Sequence, residues 1–563
     1  MNKLTSHIMH AMVAIAITLC PASMWAINGD VNGDGNVTTA DVTALYNLLL
    51  YGNDSAIVNG DLNGDGAITA GDVTIVYRIL LGQMPNIDNE ETLFNRCYAT
   101  LRSEEPINGF EASISSFLRS MWQLNTITTD EAYCVWLDNG IAEMNTNQWS
   151  SDLPHAAGLF YRLCANIDVC NAYLANSIQH DEAHNGEVRT LRALYHYYLM
   201  DMFGNVPYNT SPTTPTIKAA QKPRATVYNN LITELKACET MLVAPRTNTY
   251  GRIDKAAAWM LIARICLNQN VYSPSSNATY VRNAITMAKT YAKKVLDSSY
   301  QLNTTGTSSF NAFQMLFLGD NDTNGAQFEN IFPIFNDHIY TKSHGSMHFL
   351  VLSNYAKRDN SDMDVIIPSG TDVSWGKCMA VTGQLVDAFF GKGVSAPETT
   401  LAVTDITSAA SDDRALFYTT GFSRDITDRS QEKQGYGCVK FRNVRSDGKP
   451  ASSLAKVDTD LPLMRIAEAY LTYAEAETRL NGSTAAAKEK MDAIRNRAHA
   501  VTHNTYDLSE IEEEWIREFW FEGRARIDQI RFGHYNVPTY RFIYPIPNND
   551  LTNNPNLVQN PGY

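Results

Sequence analysis

One dodecamer occurs twice near the start of this chain, as DVNGDGNVTTAD at 30–41 and DLNGDGAITAGD at 61–72. A twelve-residue calcium loop takes oxygen ligands from positions 1, 3, 5, 7, 9 and 12 and needs glycine at position 6 for its sharp turn. The first copy offers Asp30, Asn32, Asp34, the Asn36 carbonyl, Thr38 and Asp41, with Gly35 at the turn. The second offers Asp61, Asn63, Asp65, the Ala67 carbonyl, Thr69 and Asp72, with Gly66 at the turn. Hard oxygens at this spacing select Ca2+ over zinc or a soft metal. A loop rich in Asx turns would use the same residues without metal, but two complete copies argue against that reading. Residues 28–90 hold nine acids and one base, Arg78, so −8 of the chain's net −15 lies there and calls for cations.

Each loop runs into an apolar-striped segment. Val42, Leu45, Leu48 and Leu49 fall on one face of a predicted helix, as do Val73, Val76, Ile79 and Leu80. Gly52 and Gly82 read as C-caps, and Val37 and Ile68 can bring the two loops into contact. Almost no chain precedes the first loop once an export signal is removed, so the entering helix of a full EF-hand is missing. A duplicated loop plus exiting helix, with Asp at position 12, resembles the type I dockerin domain over about residues 27–86. The resemblance implies calcium at both loops and a cohesin-containing partner. Loop positions 10 and 11, which help select the cohesin in that family, are Thr39–Ala40 and Ala70–Gly71 here.

Residues 1–26 carry Lys3, an apolar run from Ile8 to Leu19 and small residues near Ala26, the pattern of an export signal. Cleavage after Ala26 fits best. Cys20 offers a lipid anchor, although Leu19 before it is larger than an acylation motif prefers. None of the nine cysteines has metal-ligand or CxxC spacing, and their apolar settings suggest buried thiols. GQMPNIDNEE, 82–91, reads as a linker. The expected organisation is a signal at 1–26, a dockerin-like calcium unit at 27–86, a linker at 87–91 and a main body at 92–563. The acidic balance argues against nucleic acid as a partner.

From Thr92 onward the chain is dominated by long helical periodicity. GEVRTLRALYHYYLMDMFGNVP, RATVYNNLITELKACETML, RIDKAAAWMLIARICLNQN, VRNAITMAKTYAKKVLDSS, DLPLMRIAEAYLTYAEAETRLNG and STAAAKEKMDAIRNRAHA each carry an apolar stripe. Alanine-rich faces let helices approach closely, which suggests a TPR-like helical stack. Residues 300–460 differ, being rich in Asn, Asp, Ser, Thr and Gly. There GAQFENIFPIF and GYGCVKFRNV read as short strands in an irregular surface insertion. The fold class is therefore mainly α: a helical-repeat body with a loop and short-strand insertion, preceded by a small α unit.

Several of these segments, in order, resemble the SusD/RagB family. They are GEVRTLRALYHYYLMDMFGNVP, NIFPI, DDR, DLPLMRIAEAYLTYAEAE, IREFWFEGRARIDQIRFGHY and the terminal YPIPNNDLTNNPNLVQNPGY, spanning nearly all of 92–563. The resemblance implies a non-catalytic, exported protein of the Bacteroidetes outer membrane. Such a protein captures glycan at the cell surface and passes it to a SusC-like TonB-dependent transporter. A sugar ring needs a flat apolar platform and a few polar partners. The resemblance places a platform at Trp136, after TTDEA, with Arg119 upstream and a second tryptophan at Trp375 in VSWGK. It implies a third aromatic near Tyr340 or Tyr355, and the TTDEA segment tilts the ligand toward a starch-like α-glucan. Each of these rings would otherwise serve core packing.

EEEWIREFWFEGRAR crowds Glu512, Glu513, Glu514, Glu518 and Glu522 onto one stretch. Paired carboxylates can be glycosidase acids, but at helical spacing beside Arg517, Arg524 and Arg526 they read as an ion-pair network. No HExxH, GxSxG or P-loop pattern occurs. The expectation is a binding protein, with a secreted, cohesin-docked subunit of a polysaccharide-degrading complex as the alternative.

Overall fold

The structure is a computed structural model of the full chain. It describes all residues except 1–28, 35, 53–59, 61, 63–67, 81–89, 103–105, 108, 112, 176–180, 214–217, 340–345, 356–366, 399–402 and 429. The export signal, Cys20, Gly82, most of the linker, Tyr340 and the second-loop positions Asp61, Asn63, Asp65, Gly66 and Ala67 lie outside the described residues, as does Gly35. The last linker residues, Glu90 and Glu91, open a helix, Glu90–Ala99. The described residues form two compact units, one ending at Asn95 and one running from Arg96 to Tyr563. No helix among them is long and apolar enough to cross a membrane.

In the first unit each loop leads into a helix, α1 (Thr39–Tyr51) and α2 (Ala70–Leu80), and the two helices pack together. Val31, Val42, Leu45, Val73 and Val76 form the core, with Val37 and Ile68 against it. The position-12 aspartates do the same work in both copies. Asp41 accepts from the Val31, Asn32 and Thr38 N–H groups at 2.9, 3.2 and 2.7 Å. Asp72 accepts from Leu62 and Thr69, both at 2.7 Å. Each carboxylate thus ties the start of its loop to the first turn of its helix, satisfying N–H groups that helix formation would leave orphaned. Gly52 ends α1 in the left-handed region, φ 65°. Leu49 departs from the expected stripe and is exposed, because one short partner helix covers only part of the apolar face.

The second unit is built of helices packed each on the next. They are α3 (Phe117–Thr126), α4 (Pro154–Ala175), α5 (Glu182–Phe203), α6 (Arg224–Cys238), α7 (Lys255–Leu267) and α8 (Ala278–Leu296). The short α9 (Met347–Leu352) lies in the insertion. The series resumes with α10 (Ile466–Asn481), α11 (Ala485–Arg497), α12 (Leu508–Phe519) and α13 (Ala525–Phe532). Helix α10 packs on α7, α8, α11 and α12. Its contacts are lined by fully buried Ala467, Ala469, Ala474 and Ala476, and those of α7 by Ala256, Ala258 and Ala263, so small side chains do set the close approach.

Strands occur as two-stranded ribbons. β1 (Ala132–Cys134) pairs antiparallel with β3 (Met379–Val381), and β2 (Asn330–Ile334) with β4 (Leu461–Arg465). The expected helix over DLPLMRIAEAY therefore starts late, since its first residues are strand β4. Pro462 explains why: it lacks the N–H a helix interior would use, and it faces Pro333 of NIFPI across the ribbon. The eight described cysteines are free thiols, all buried except Cys164, which is partly so.

Candidate functional site

Antiparallel pairing of β1 and β3 sets Cys134 opposite Met379, and the Val135 N–H donates to the Cys378 carbonyl at 2.9 Å. The chain leaving β1 therefore lies beside the chain entering β3, which brings Trp136 and Trp375 together across the sequence. Their ring centroids are 6.0 Å apart at 50°, and both rings are half-buried. Phe349 of α9 packs beside Trp136 at 5.9 Å. The Arg119 guanidinium, from α3, sits 5.1 Å from the Trp136 ring and 5.2 Å from the Phe349 ring. One turn on, fully buried Trp122 contacts Phe349 at 5.3 Å and donates its indole N–H to the Phe521 carbonyl at 2.7 Å. The pair of indoles thus stands on an aromatic wall rooted in the core.

The Trp375 segment is held by its backbone. Trp375 N–H donates to the Leu352 carbonyl at 2.9 Å and Cys378 N–H to the Ser353 carbonyl at 2.7 Å, both at the end of α9. Leu137, just after Trp136, is 98% exposed, and Val373, just before Trp375, is 47% exposed. Asp138, Asn139 and Asp372 are exposed beside them. Apolar faces flanked by exposed carboxylate and amide groups suit a ligand with flat apolar patches and hydroxyl rims. His155 is fully buried and held near pKa 3, by burial first and by the Arg119 charge second, so it is neutral at ordinary pH.

The structure therefore brings together three of the expected site residues. Arg119 is only 7% exposed, and what it does here is back the Trp136 ring through a cation–π contact. Tyr355 is fully buried, so the third surface ring expected at Tyr340 or Tyr355 is not Tyr355. Its position follows the end of α9, whose six residues are all buried. Phe349, Leu137 and Val373 escaped sequence reasoning. Phe349 sits in the apolar run MHFLVL, which marks a core segment without saying that its buried ring backs Trp136.

The crowded glutamates of α12 and the turn after it face arginines. Glu514 accepts from Arg414 and Arg495, both at 2.7 Å. Glu518 binds Arg465 at 2.5 Å, Arg414 at 3.0 Å and Arg497. Glu522 binds Arg465 and Lys440, both at 2.8 Å. Glu512 pairs with His534 at 2.6 Å and Glu513 with Arg517 at 3.2 Å. These are structural ion pairs, most of them inside the molecule.

In the first loop the side-chain oxygens turn inward. The Asp34 N–H donates to Asp30 at 3.1 Å and to Asn32 at 2.9 Å, and the Asn36 N–H donates to Asp34 at 2.9 Å. Asp30 and Asp41 are buried. Among the described residues no group of three His, Cys, Asp or Glu closes around one metal position. The donor set remains all oxygen, with two buried carboxylates, and that chemistry fits Ca2+.

The second unit is a stack of helices with paired indoles beside a strand ribbon. The SusD family model matches residues 414–543, the model described as "Starch-binding associating with outer membrane" matches 92–267, and the Dockerin type I domain model matches 28–81. Starch-binding protein SusD of Bacteroides thetaiotaomicron is 32% identical over 509 residues, covering 81% of this chain and 88% of that protein. A SusD superfamily protein from Parabacteroides distasonis shares the fold at TM-score 0.63 and 19% identity, over 84% of this chain and 98% of that one. So does surface glycan-binding protein A from Bacteroides thetaiotaomicron, solved with laminarihexaose, at TM-score 0.60 and 18% identity over 84% and 98% of the two chains. The chain belongs to the SusD family.

Proposed function

We propose that this protein is a non-catalytic glycan-binding protein of the cell surface, which captures oligo- or polysaccharide and delivers it to a SusC-like TonB-dependent transporter. The observation that carries this reading is the Trp136–Trp375 pair, two half-buried indoles 6.0 Å apart on a rigid aromatic wall. Each ring stacks on a sugar face, and the exposed Asp138, Asn139 and Asp372 accept hydrogen bonds from its hydroxyls. Arg119 holds the Trp136 ring in place. Similarity to a starch-binding relative favours an α-glucan, and a laminarihexaose-bound neighbour makes β-1,3-glucan the comparison ligand. Isothermal titration with a malto-oligosaccharide and a laminari-oligosaccharide tests the assignment, and heat from neither would reject it.

The reading excludes turnover. Incubating purified protein with amylopectin should release no more reducing sugar than a protein-free control. Release above that control would reverse the assignment.

The first unit is proposed to bind two calcium ions and to attach the protein to a cohesin-containing partner, a role supported by the Dockerin type I match. Asp30, Asn32, Asp34, Asn36, Thr38 and Asp41 would hold one ion and Asp61, Asn63, Asp65, Ala67, Thr69 and Asp72 the other. The ion supplies positive charge that the clustered aspartates lack. Calcium titration of the full chain should show two sites, with helix content lower in chelator by circular dichroism. Asp34→Ala with Asp65→Ala should remove both effects. Equal spectra with calcium and with chelator would refute metal-dependent folding.

A further inference from the structure

We propose that Lys377 is a positioning residue for the glycan platform, its ammonium fastening the Trp375 segment to the 432–435 turn. The proposal rests on the platform reading above. Lys377 lies two residues after Trp375 and two before β3, and its side chain is fully buried. Its Nζ donates to the carbonyls of Glu432 at 2.7 Å, Gln434 at 3.0 Å and Gly435 at 2.7 Å. An ammonium has three donors, and here each meets one carbonyl of a single turn. The Phe422 ring closes the site 4.4 Å from Nζ.

The turn it grips is itself seated on β3. Tyr436 accepts from the Val381 N–H at 2.9 Å. Gly435 has φ +72°, and a Cβ there would meet Ala380 Cβ at 2.7 Å and the Val381 carbonyl at 2.8 Å, so the turn lies flush on the strand. Lys377 therefore ties the lead-in of β3 to a fixed neighbour. Further fixings of the Trp375 segment run to the end of α9 and to the chain leaving β1, where the Val135 N–H donates to the Cys378 carbonyl. Between them, α9, the chain leaving β1 and the turn hold this short coil. Without the ammonium, the Glu432, Gln434 and Gly435 carbonyls lose this donor and the coil loses its tie to the turn. Burial lowers the Lys377 pKa to about 7, and the nearby Glu432 carboxylate opposes that.

The test uses the full chain at about pH 6, where the ammonium keeps its proton. Lys377→Met retains the apolar stem and removes the donors. Phe422→Leu loosens the seat of the ammonium while leaving Lys377 in place, and serves if the methionine variant does not fold. Near-ultraviolet circular dichroism reads the Trp136–Trp375 coupling directly, isolated as the difference between wild type and Trp136→Phe. Titration with a malto-oligosaccharide reads affinity, and a thermal melt reads stability. The expected result is loss of the indole coupling signal and about a tenfold weaker Kd in Lys377→Met, with smaller losses in Phe422→Leu. A lower melting temperature with unchanged coupling signal and unchanged affinity per folded molecule would make Lys377 purely structural and overturn the proposal. The coupling signal needs no ligand. A wild type that binds no sugar but whose coupling signal is lost on Lys377→Met would therefore reject the glycan reading and keep the positioning role.

Discussion

Replacing Trp136 and Trp375 together by alanine is expected to remove measurable glycan binding while leaving a folded protein. Stacking one sugar on one indole buries roughly 50–80 Å² of apolar surface, worth about 1.2–2 kcal/mol at about 25 cal/mol/Å². Each single substitution should therefore weaken Kd about tenfold or more. The pair should weaken it further than either single change, but the two effects should couple rather than simply add, because the ring centroids lie only 6.0 Å apart. Stability should fall as well, since Trp136 packs on Phe349, Trp375 and Arg119. Both rings are only partly buried, so the cost should stay below the ~3–5 kcal/mol of truncating a fully buried tryptophan. Trp122→Ala supplies that comparison, being fully buried beneath the platform. Titration and thermal melts of the three variants separate the roles. Unchanged affinity in the double variant would remove the platform from the account.

Glu518→Ala is expected to destabilise the second unit markedly. Its carboxylate holds Arg465, Arg414 and Arg497, and all four side chains are at most slightly exposed. Removing one partner of a buried pair leaves uncompensated charge and costs about 3–5 kcal/mol. Each of the three cations keeps another anion, Asp412 and Glu514 for Arg414, Glu329 and Glu522 for Arg465, and Glu329 for Arg497, so the lower end applies. That is a large part of the roughly 5–15 kcal/mol that holds a typical domain. Denaturant melts should show it, and a loss under ~1 kcal/mol would mean the network is relaxed by water.

The same network predicts acid sensitivity. Burial pushes Glu514 upward, but Arg414, Arg517 and Arg495 overcome it and hold its pKa at about 2. Glu518 is likewise pushed up by burial and pulled further down by Arg497, Arg465 and Arg414. Both lie below the ordinary value of 4.5. Their contribution is complete above that value and is lost as pH falls toward and through the folded pKa. Stability should decline below about pH 4.5, more gently in Glu514→Gln, where one of these groups no longer titrates.

What sequence reasoning could reach followed the length of each signal. Helices of four or more turns, such as α5 and α8, show in their apolar stripes, and the alanine faces of α7 and α10 forecast their close packing. The crowded glutamates read as ion-pair partners from their helical spacing beside Arg517, Arg524 and Arg526, of which Arg517 does pair with Glu513 and Glu514. Their counterions Arg414, Arg465 and Arg497 come from distant segments and emerge only from the fold. Trp136 and Trp375 were marked by family motif. Their meeting depends on a ribbon of three residues per strand, too short for any alternation to stand out. The strand LPLMR was absorbed into the helix behind it because its apolar residues continue that helix's stripe. Tyr355 shows the limit most plainly: an aromatic near the right place in the chain points into the core, and only the path of the backbone distinguishes the two directions.

The central claim is capture of glycan without cleavage, and affinity electrophoresis of the wild-type protein tests it most directly. Native gels cast with amylopectin and with laminarin are run beside a plain gel. Retarded migration in at least one glycan gel, reversed by the matching free oligosaccharide, is the predicted result. Migration in both glycan gels identical to that in the plain gel, by protein whose thermal melt shows it folded, would contradict the account.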